Sequence, residues 1–484
     1  MQRIKNFFFV NTSTKQTVIK NTFWLFMGEA SGRILKMVLI VYAARKLGAD
    51  GWGIFSYVIS VASLSMVFSD IGISSIITRE ASQKKEDYKK FISASLLLKS
   101  IILIISTIFV IFLSPYLSHI KEANILFPII GIVLFFDSIR DIAIAINRVF
   151  EKMEMEMVMK VIMNLVILVL GIILIRINPF PISMAIAYAV GSLVGLILII
   201  FIIRKNISKL IIKTDLKSLK LVIRTTMPFA LVTLIGTIMG NTDIYMLGIW
   251  KSPEVIGIYS AAQRFYQFIV IIPSMIATAT LPLMSRLANN DNKKFKVVLE
   301  KVLSVFVMIG LPIALGGVIL ANQIIPLMFG LEYMDAIPVL QILMVMLLVS
   351  FPLILLSNTI FVYNEQKKLA KAYIFGVVAN VILNYLLIPK FGAIGAATAL
   401  FVSTAIITFI MWVQMKKINN FETLPWLKEI IISIIAMTFS IFILKYFGVN
   451  VILNIIISSL IYLGILLLMK KSILRELREI IGIK

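Results

Sequence analysis

The sequence predicts an all-α polytopic membrane protein with about fourteen transmembrane helices, and three observations support this prediction. Sixty per cent of the 484 residues are apolar and the mean hydropathy is +1.01, whereas soluble domains are about 45–50% apolar. The apolar residues come in runs of about twenty, the length at which a helix crosses a bilayer core of ~30 Å. Runs such as IILIISTIFVIFL lack the alternation that is typical of strands in membrane barrels.

Fourteen apolar segments follow one another along the chain, and the links between them are too short for a soluble domain. The predicted spans lie near residues 22–44, 53–77, 91–114, 125–147, 157–176, 183–203, 225–250, 256–283, 297–321, 335–362, 372–389, 393–414, 428–447 and 451–469.

The distribution of Lys and Arg predicts the orientation of these spans. About thirty-five of the 47 basic residues lie in the N-terminal tail, the links after even-numbered spans and the C-terminal tail, which indicates that these parts are cytoplasmic. Both termini are therefore expected on the cytoplasmic side of a prokaryotic plasma membrane. The same asymmetry, with contact to anionic lipid headgroups, accounts for the net charge of +23, so no nucleic-acid partner is expected.

A short sequence echo predicts an internal repeat. GIFS at 53–56 returns as GIYS at 257–260, each time at the start of a span and six spans apart, so both copies have the same orientation. We therefore expect two six-helix lobes related by a pseudo-two-fold axis along the membrane normal, followed by two C-terminal helices. The predicted parts are an N-lobe (1–203), a basic cytoplasmic link (204–224), a C-lobe (225–414) and a C-terminal helix pair with a basic tail (415–484).

Ionisable side chains inside spans are costly in lipid and usually face a bundle interior or a watery cavity. Those of this chain are Glu29, Arg33 and Lys36 in span one, Asp70 in span two, Asp137, Arg140 and Asp141 in span four, Asp243 in span seven and Arg264 in span eight. Matched depths, at ~1.5 Å per residue, suggest three ion pairs: Arg33 with Asp137, Glu29 with Arg140, and Asp243 with Arg264. Lys99, early in span three, is expected to extend to the cytoplasmic surface.

Two interpretations of these charges stay open at this point. They could be closed ion pairs that hold helices together, or a partly paired set that opens to an anionic ligand. In the second case Glu29, Asp70, Asp137, Arg140, Asp141 and Asp243 would serve as charge partners in a cavity or as ion-coupling groups.

The chain resembles the polysaccharide flippases, of O-antigen transporter type, in the multidrug/oligosaccharidyl-lipid/polysaccharide exporter superfamily. The resemblance lies in AARKLGADGWGIFSYV, FSDIG and ITRE in the first half, and in GNTDIYMLGIWKSPEVIGIYSAAQRF and PLMSRL in the second. It continues in NEQKKLAKAYIFGVVANVILNYLLIPKFGAIGAATA. It implies alternating access of two lobes and movement of a polyprenyl-diphosphate-linked oligosaccharide from the cytoplasmic to the outer leaflet. By the same resemblance, Arg33, Lys36 and Arg264 are the expected ligands of the diphosphate and sugar.

Other functions are less consistent with the sequence. No G-x-x-x-x-G-K-[ST] motif is present, which argues against an ATP-driven pump. A membrane polysaccharide polymerase or ligase would need a large outer loop, which the links do not offer, so we expect no enzyme and no catalytic residues. A multidrug or small-solute exporter of the same superfamily is the main alternative. The chain has no cysteine, and we expect neither a metal nor a cofactor. Besides the lipid-linked oligosaccharide and membrane lipids, the polymerase and glycosyltransferases of the same pathway are expected partners.

Overall fold

The computed structural model describes residues 14–66, 72–74, 77–78, 88–207, 214–363, 365–421 and 426–469, and within them it contains helices and turns but no strand. Nine helices in these ranges are long and apolar enough to cross a membrane. The prediction of an all-α polytopic membrane protein is confirmed.

The chain divides into two compact units, Met1–Gly257 and Ile258–Lys484. The first contains α1 (Thr14–Met66), α2 (Tyr88–Ile108), a π-helical turn (Phe109–Leu113), α3 (Ser114–Leu117), a 3₁₀ turn (Lys121–Ala123), α4 (Leu126–Val149), α5 (Met153–Ile177), α6 (Pro181–Ile207), α7 (Leu216–Trp250) and the start of α8 (Pro253–Ile269). The second contains the rest of α8, then α9 (Ile271–Asn290), α10 (Asn292–Phe329), a 3₁₀ turn (Leu331–Tyr333), α11 (Ala336–Val362), α12 (Gln366–Ile418), α13 (Leu427–Tyr446) and α14 (Val451–Met469). The predicted division into lobes at 204–224 stays a prediction.

Two helices of 53 residues each contain two of the predicted spans. α1 breaks at Gly48 (φ 70°, ψ 175°) and α12 breaks at Gly392 (φ 54°, ψ −127°). Both conformations lie in regions that side chains exclude and glycine tolerates. The glycines therefore turn one span into the next without a loop, and every predicted span has a helix at its position in the described residues.

The glycines of the sequence echo lie in one backbone contact. A Cβ atom added to Gly53 would overlap the carbonyl oxygen of Pro253, and one added to Gly257 would overlap the carbonyl oxygen of Ala49. The second half of α1 and the start of α8 thus approach as closely as backbones can, and each copy of the repeated glycine makes room for the other segment. Close packing of the two backbones therefore explains why glycine occurs in both copies of the repeated sequence.

The first unit packs α1 against α5, and α6 against both α4 and α5. A buried cluster of aliphatic side chains joins α4, α5 and α6 to α2 and includes Ile92, Ile142, Ile146, Met159 and Ile199. Burial of such side chains is favourable by roughly 1.5–3 kcal/mol each on a water-transfer scale. This cluster fixes the α4–α5 hairpin from which the charged side chains of the candidate site project.

In the second unit, a tyrosine of the last helix compensates for a proline in α10. Pro312 lacks the N–H group that would bond to the Met308 carbonyl four residues earlier. The hydroxyl of Tyr462, which is 4% exposed, donates to that carbonyl oxygen at 2.7 Å. This hydrogen bond joins α14, the second helix of the C-terminal pair, to α10.

Replacing Tyr462 with phenylalanine should lower the free energy of unfolding by about 1–2 kcal/mol. The change removes the hydroxyl that donates to the Met308 carbonyl oxygen. Denaturant titration of the purified protein in detergent micelles measures the effect. Tyr446→Phe is the control, since the Tyr446 side chain is 87% exposed. Equal stabilities of the two variants would contradict the prediction.

Candidate functional site

A charged cavity of about 270 Å³ lies in the first unit between α1, α4 and α5. Five basic side chains line it: Arg33, Lys36, Arg140, Arg148 and Lys160. Three acidic side chains also line it: Glu29, Asp141 and Glu156. Five bases against three acids leave a net excess of two positive charges on the lining. The other lining residues are small, apolar or neutral polar: Gly28, Gly32, Ser74, Ile144, Ala145, Met163 and Asn164.

Two glycines bring the charged face of α1 close to α5. A Cβ atom at Gly28 would lie 3.1 Å from the Cα of Met157, and one at Gly32 would lie 3.0 Å from Nδ2 of Asn164. Glu29 and Arg33 follow these glycines directly in sequence. The short distance between the helices allows the side chain of Glu29 to reach across to α5.

The buried anchor of the cavity is Glu156. Its side chain is 0% exposed, and its Oε2 accepts a hydrogen bond from Arg148 Nε at 2.8 Å, while its Oε1 accepts one from Arg148 Nη2 at 2.7 Å. Nζ of Lys160 lies 3.0 Å from the same Oε1. A two-pronged guanidinium–carboxylate pair is among the strongest polar contacts in proteins, so this group ties the end of α4 to the start of α5.

A second carboxylate, Glu29, lies at the open side of the network. Arg33 Nε donates to its Oε1 at 2.8 Å, and Lys160 Nζ lies 3.5 Å from its Oε2. The side chains of Glu29 and Arg33 are 49% and 44% exposed. The ion pairs therefore form a continuous chain from Arg33 on α1 through α5 to Arg148 on α4, with partly exposed cations at both ends and the fully buried Glu156 inside it.

The predicted pairs Arg33–Asp137 and Glu29–Arg140 are wrong. Arg33 pairs with Glu29 on its own helix. Arg140 pairs with Asp137 and, at 3.5 Å from Nη2 to Oδ1, with Asp141, both on its own helix. Residues three or four apart on a helix lie side by side, and this proximity outweighs matched depth on different helices.

The remaining charged positions lie in different surroundings. Lys99 is fully buried and its Nζ donates to Ser74 Oγ at 2.7 Å, so the prediction that it extends to the surface is wrong. Asp243 in α7 is also fully buried. In the second unit, Arg264 Nη1 donates to Gln267 Oε1 at 3.2 Å. Asp70 lies outside the described residues, and the pair Asp243–Arg264 stays a prediction.

Three residues that the sequence prediction did not include are central to the cavity: Arg148, Glu156 and Lys160. Arg148 and Glu156 lie in the link between predicted spans four and five, and Lys160 lies in the first turn of span five. The available signal was the four-residue spacing of Glu156 and Lys160, which places both on one face of a helix. Chemically, the arrangement offers guanidinium and ammonium donors of the kind that hold phosphate and carboxylate groups.

Comparison with known proteins decides the family. A family model described as polysaccharide biosynthesis protein matches residues 18–288, which is more than half of the 484 residues. The chain belongs to this family. A model described as MatE matches residues 228–386, and the resemblance to the multidrug/oligosaccharidyl-lipid/polysaccharide exporter superfamily is confirmed.

Relatives of this family member come from archaea and bacteria. The probable low-salt glycan biosynthesis flippase Agl15 of Haloferax volcanii is 21% identical, over 80% of this chain and 81% of that protein. The capsular polysaccharide biosynthesis protein CapF of Staphylococcus aureus is 23% identical, over 80% of this chain and 96% of that protein. A putative O-antigen transporter of Shigella dysenteriae is 20% identical, over 82% of this chain and all of that protein.

Solved structures share the fold of the family member. The lipid II flippase MurJ in an inward closed conformation has a TM-score of 0.78 at 20% identity, covering 93% of this chain and 99% of that chain. A multidrug resistance MATE family transporter in an inward-facing conformation has a TM-score of 0.63 at 17% identity, covering 82% of this chain and 95% of that chain. The relatives are transporters and flippases, and the fold is that of the same superfamily.

Proposed function

We propose that this protein is a flippase that moves a polyprenyl-diphosphate-linked oligosaccharide from the cytoplasmic to the outer leaflet by alternating access of two lobes. The cavity between α1, α4 and α5 is the observation that supports the proposal most directly. Its five basic side chains are suited to a diphosphate, which presents several acceptor oxygens and negative charge. The exposed end of the network, at Arg33 and Glu29, is where a headgroup would enter.

The relatives support a glycan-carrying lipid as substrate. Their names refer to glycan biosynthesis, capsular polysaccharide biosynthesis and O-antigen transport, and the structural relative MurJ is a flippase of lipid II. Three of these names share a saccharide, and Agl15 and MurJ are named as flippases. We therefore assign Arg33 and Lys36 to the diphosphate, and we propose Arg264 as a further contact. For Asp70, Asp137, Arg140, Asp141 and Asp243 we propose roles as charge partners or ion-coupling groups.

The setting of this activity follows from the charge distribution. We propose a prokaryotic plasma membrane with both termini cytoplasmic, because the basic residues are concentrated in alternate links and in the two tails. The polymerase and glycosyltransferases of the same pathway are the proposed partners. No catalytic step on the substrate is proposed, since movement between leaflets breaks no bond.

Arg33→Ala should reduce flipping about tenfold, because a hydrogen bond to a charged group is worth about 1.5–3 kcal/mol and each 1.4 kcal/mol is a factor of ten. The assay uses liposomes that contain the full chain and a fluorescent prenyl-diphosphate oligosaccharide. Protection of the fluorophore from an external quencher is followed over time. Arg176→Ala is the control, because Arg176 is an exposed arginine in the last turn of α5.

If wild type does not flip this lipid, or if Arg33→Ala flips it at the rate of Arg176→Ala, the proposal fails. The same liposomes test the second candidate, a multidrug or small-solute exporter, which the MatE match at residues 228–386 favours. Efflux of a cationic dye in the absence of lipid flipping would favour the exporter.

A further inference from the structure

We propose that Glu29 is an internal competitor of the transported anion: its carboxylate occupies Arg33 and Lys160 until a phosphate group of the ligand displaces it. This inference rests on the proposed function and specifies how the same site binds and releases its ligand. The chemistry concerned is that of a diphosphate group, whether on a lipid or free in solution.

The two carboxylates of the network differ in how easily they can be displaced. Glu156 is 0% exposed and accepts from Arg148 and Lys160 at 2.7–3.0 Å. Removing it from its partners would leave buried charges without compensation, which is costly. Glu29 is 49% exposed, and its contact with Lys160 is longer, at 3.5 Å. Exposed pairs are worth only about 0–1 kcal/mol, so Glu29 is the carboxylate that a ligand can replace.

The geometry also shows where the ligand would bind. Glu29 bridges Arg33 on α1 and Lys160 on α5, with one oxygen directed to each. A phosphate group has oxygens in a similar arrangement and can accept from both cations at once. A ligand in this position would therefore keep α1 connected to α5 while Glu29 turns towards solvent.

The charge balance fits a doubly charged ligand. The bases of the cavity are Arg33, Lys36, Arg140, Arg148 and Lys160, and the acids on or behind its lining are Glu29, Asp137, Asp141 and Glu156. The lining alone has a net excess of two positive charges. Asp137 behind it lowers the excess by one and Lys99, which donates to the lining Ser74, raises it by one, so displacement of Glu29 takes the balance from +2 to +3. A diphosphate diester carries two negative charges at neutral pH. Displacement of Glu29 thus leaves the site with enough positive charge to balance this headgroup.

The same competition would assist release. A headgroup that leaves Arg33 and Lys160 does not strand two cations, because Glu29 returns to them. Removing the carboxylate should therefore tighten binding and slow turnover together. A residue with a purely structural role would not produce this combination.

The binding test compares Glu29→Gln with wild type in detergent micelles by calorimetry. The two probes are inorganic pyrophosphate and farnesyl diphosphate, which distinguish free anion from lipid headgroup. We expect Glu29→Gln to lower the Kd about twofold to fivefold for farnesyl diphosphate, as expected for a competitor worth up to about 1 kcal/mol. In the flipping assay the same variant should show a lower maximal rate. If Glu29→Gln binds pyrophosphate more tightly than wild type does, but not farnesyl diphosphate, the site binds a free anion and the lipid-headgroup part of the proposal is overturned.

Two further variants make the result specific. Glu154→Gln is the matched control, because Glu154 on α5 also pairs with a basic residue between α1 and α5, Lys20 at 3.2 Å, but does not line the cavity. It should leave the Kd unchanged. The double variant Glu29→Gln/Arg33→Ala should lose the gain, since Arg33 is one of the two cations that Glu29 occupies.

The outcomes separate this inference from the proposed function. If Arg33→Ala weakens binding of farnesyl diphosphate but Glu29→Gln leaves it unchanged or weaker, competition by Glu29 is refuted while the diphosphate site stands. If Arg33→Ala and wild type bind the probe equally, the diphosphate site itself fails. A Glu29→Gln protein with tighter binding and an unchanged maximal rate would refute the role of Glu29 in release.

Discussion

Replacing Glu156 with alanine is expected to lower the free energy of unfolding by about 1.5–3 kcal/mol, because the change removes a buried carboxylate that accepts hydrogen bonds from charged donors. Glu156 is fully buried and lies between Arg148 and Lys160. Without its carboxylate these two cations, which are 36% and 24% exposed, lose their shared acceptor and repel each other. Glu156→Gln should be destabilised nearly as much, since the amide keeps the shape but not the charge.

Denaturant titration in detergent micelles measures this effect, with Glu122→Ala as the control. Glu122 is an exposed glutamate in the 3₁₀ turn Lys121–Ala123, where a substitution should change stability by no more than about 0.5 kcal/mol. The double variant Glu156→Leu/Arg148→Met should recover most of the loss, because apolar side chains of similar volume need no charge partner. A double variant as unstable as Glu156→Ala would show that shape, and not charge, dominates.

Gly257→Ala and Gly53→Ala should each open the contact between α1 and α8. The added methyl group would overlap a backbone carbonyl oxygen, of Ala49 or of Pro253, and a backbone atom cannot rotate away as a side chain can. Such overpacking typically costs about 1–3 kcal/mol. The equilibrium constant for opening of this contact should therefore rise about tenfold for each 1.4 kcal/mol of added strain.

A single cysteine can report this opening, because the chain has none of its own. Ser56 is fully buried, and its hydroxyl has no hydrogen-bond partner among the described residues, so Ser56→Cys should be well tolerated. In detergent micelles, a maleimide should label this cysteine about tenfold faster when Gly257→Ala is also present. Gly240→Ala is the control, since a Cβ there meets no atom within 4 Å. Equal labelling rates in the two backgrounds would count against the role of this contact.

The sequence predicted the helices well because their cause is local. A run of about twenty apolar residues must cross the lipid as a helix, and this rule places the predicted span 451–469 at α14 (Val451–Met469). The direct joining of spans at Gly48 and Gly392 was not predicted. Both links are short, and only the backbone angles show that glycine lets one helix run into the next without a loop.

The ion pairs were predicted less well because the sequence gives depth but not direction. Arg33 and Asp137 were matched by their distance from the cytoplasmic ends of their spans, yet a helix also turns by 100° per residue. Whether two side chains on different helices meet depends on rotation and spacing, which Gly28 and Gly32 set through their contacts with α5. Partners four residues away, such as Glu29 for Arg33, need no such information.

The hydrogen bond from Tyr462 to the carbonyl of Met308 has a consequence for any shortening of this chain. A version of this chain that stopped after α12 would expose the Met308 carbonyl beside Pro312. It would also uncover the apolar cavity of about 340 Å³ that α13 and α14 help to line. The terminal helix pair is thus part of the structure of α10, and its removal would leave both the Met308 carbonyl and this apolar surface in need of new neighbours.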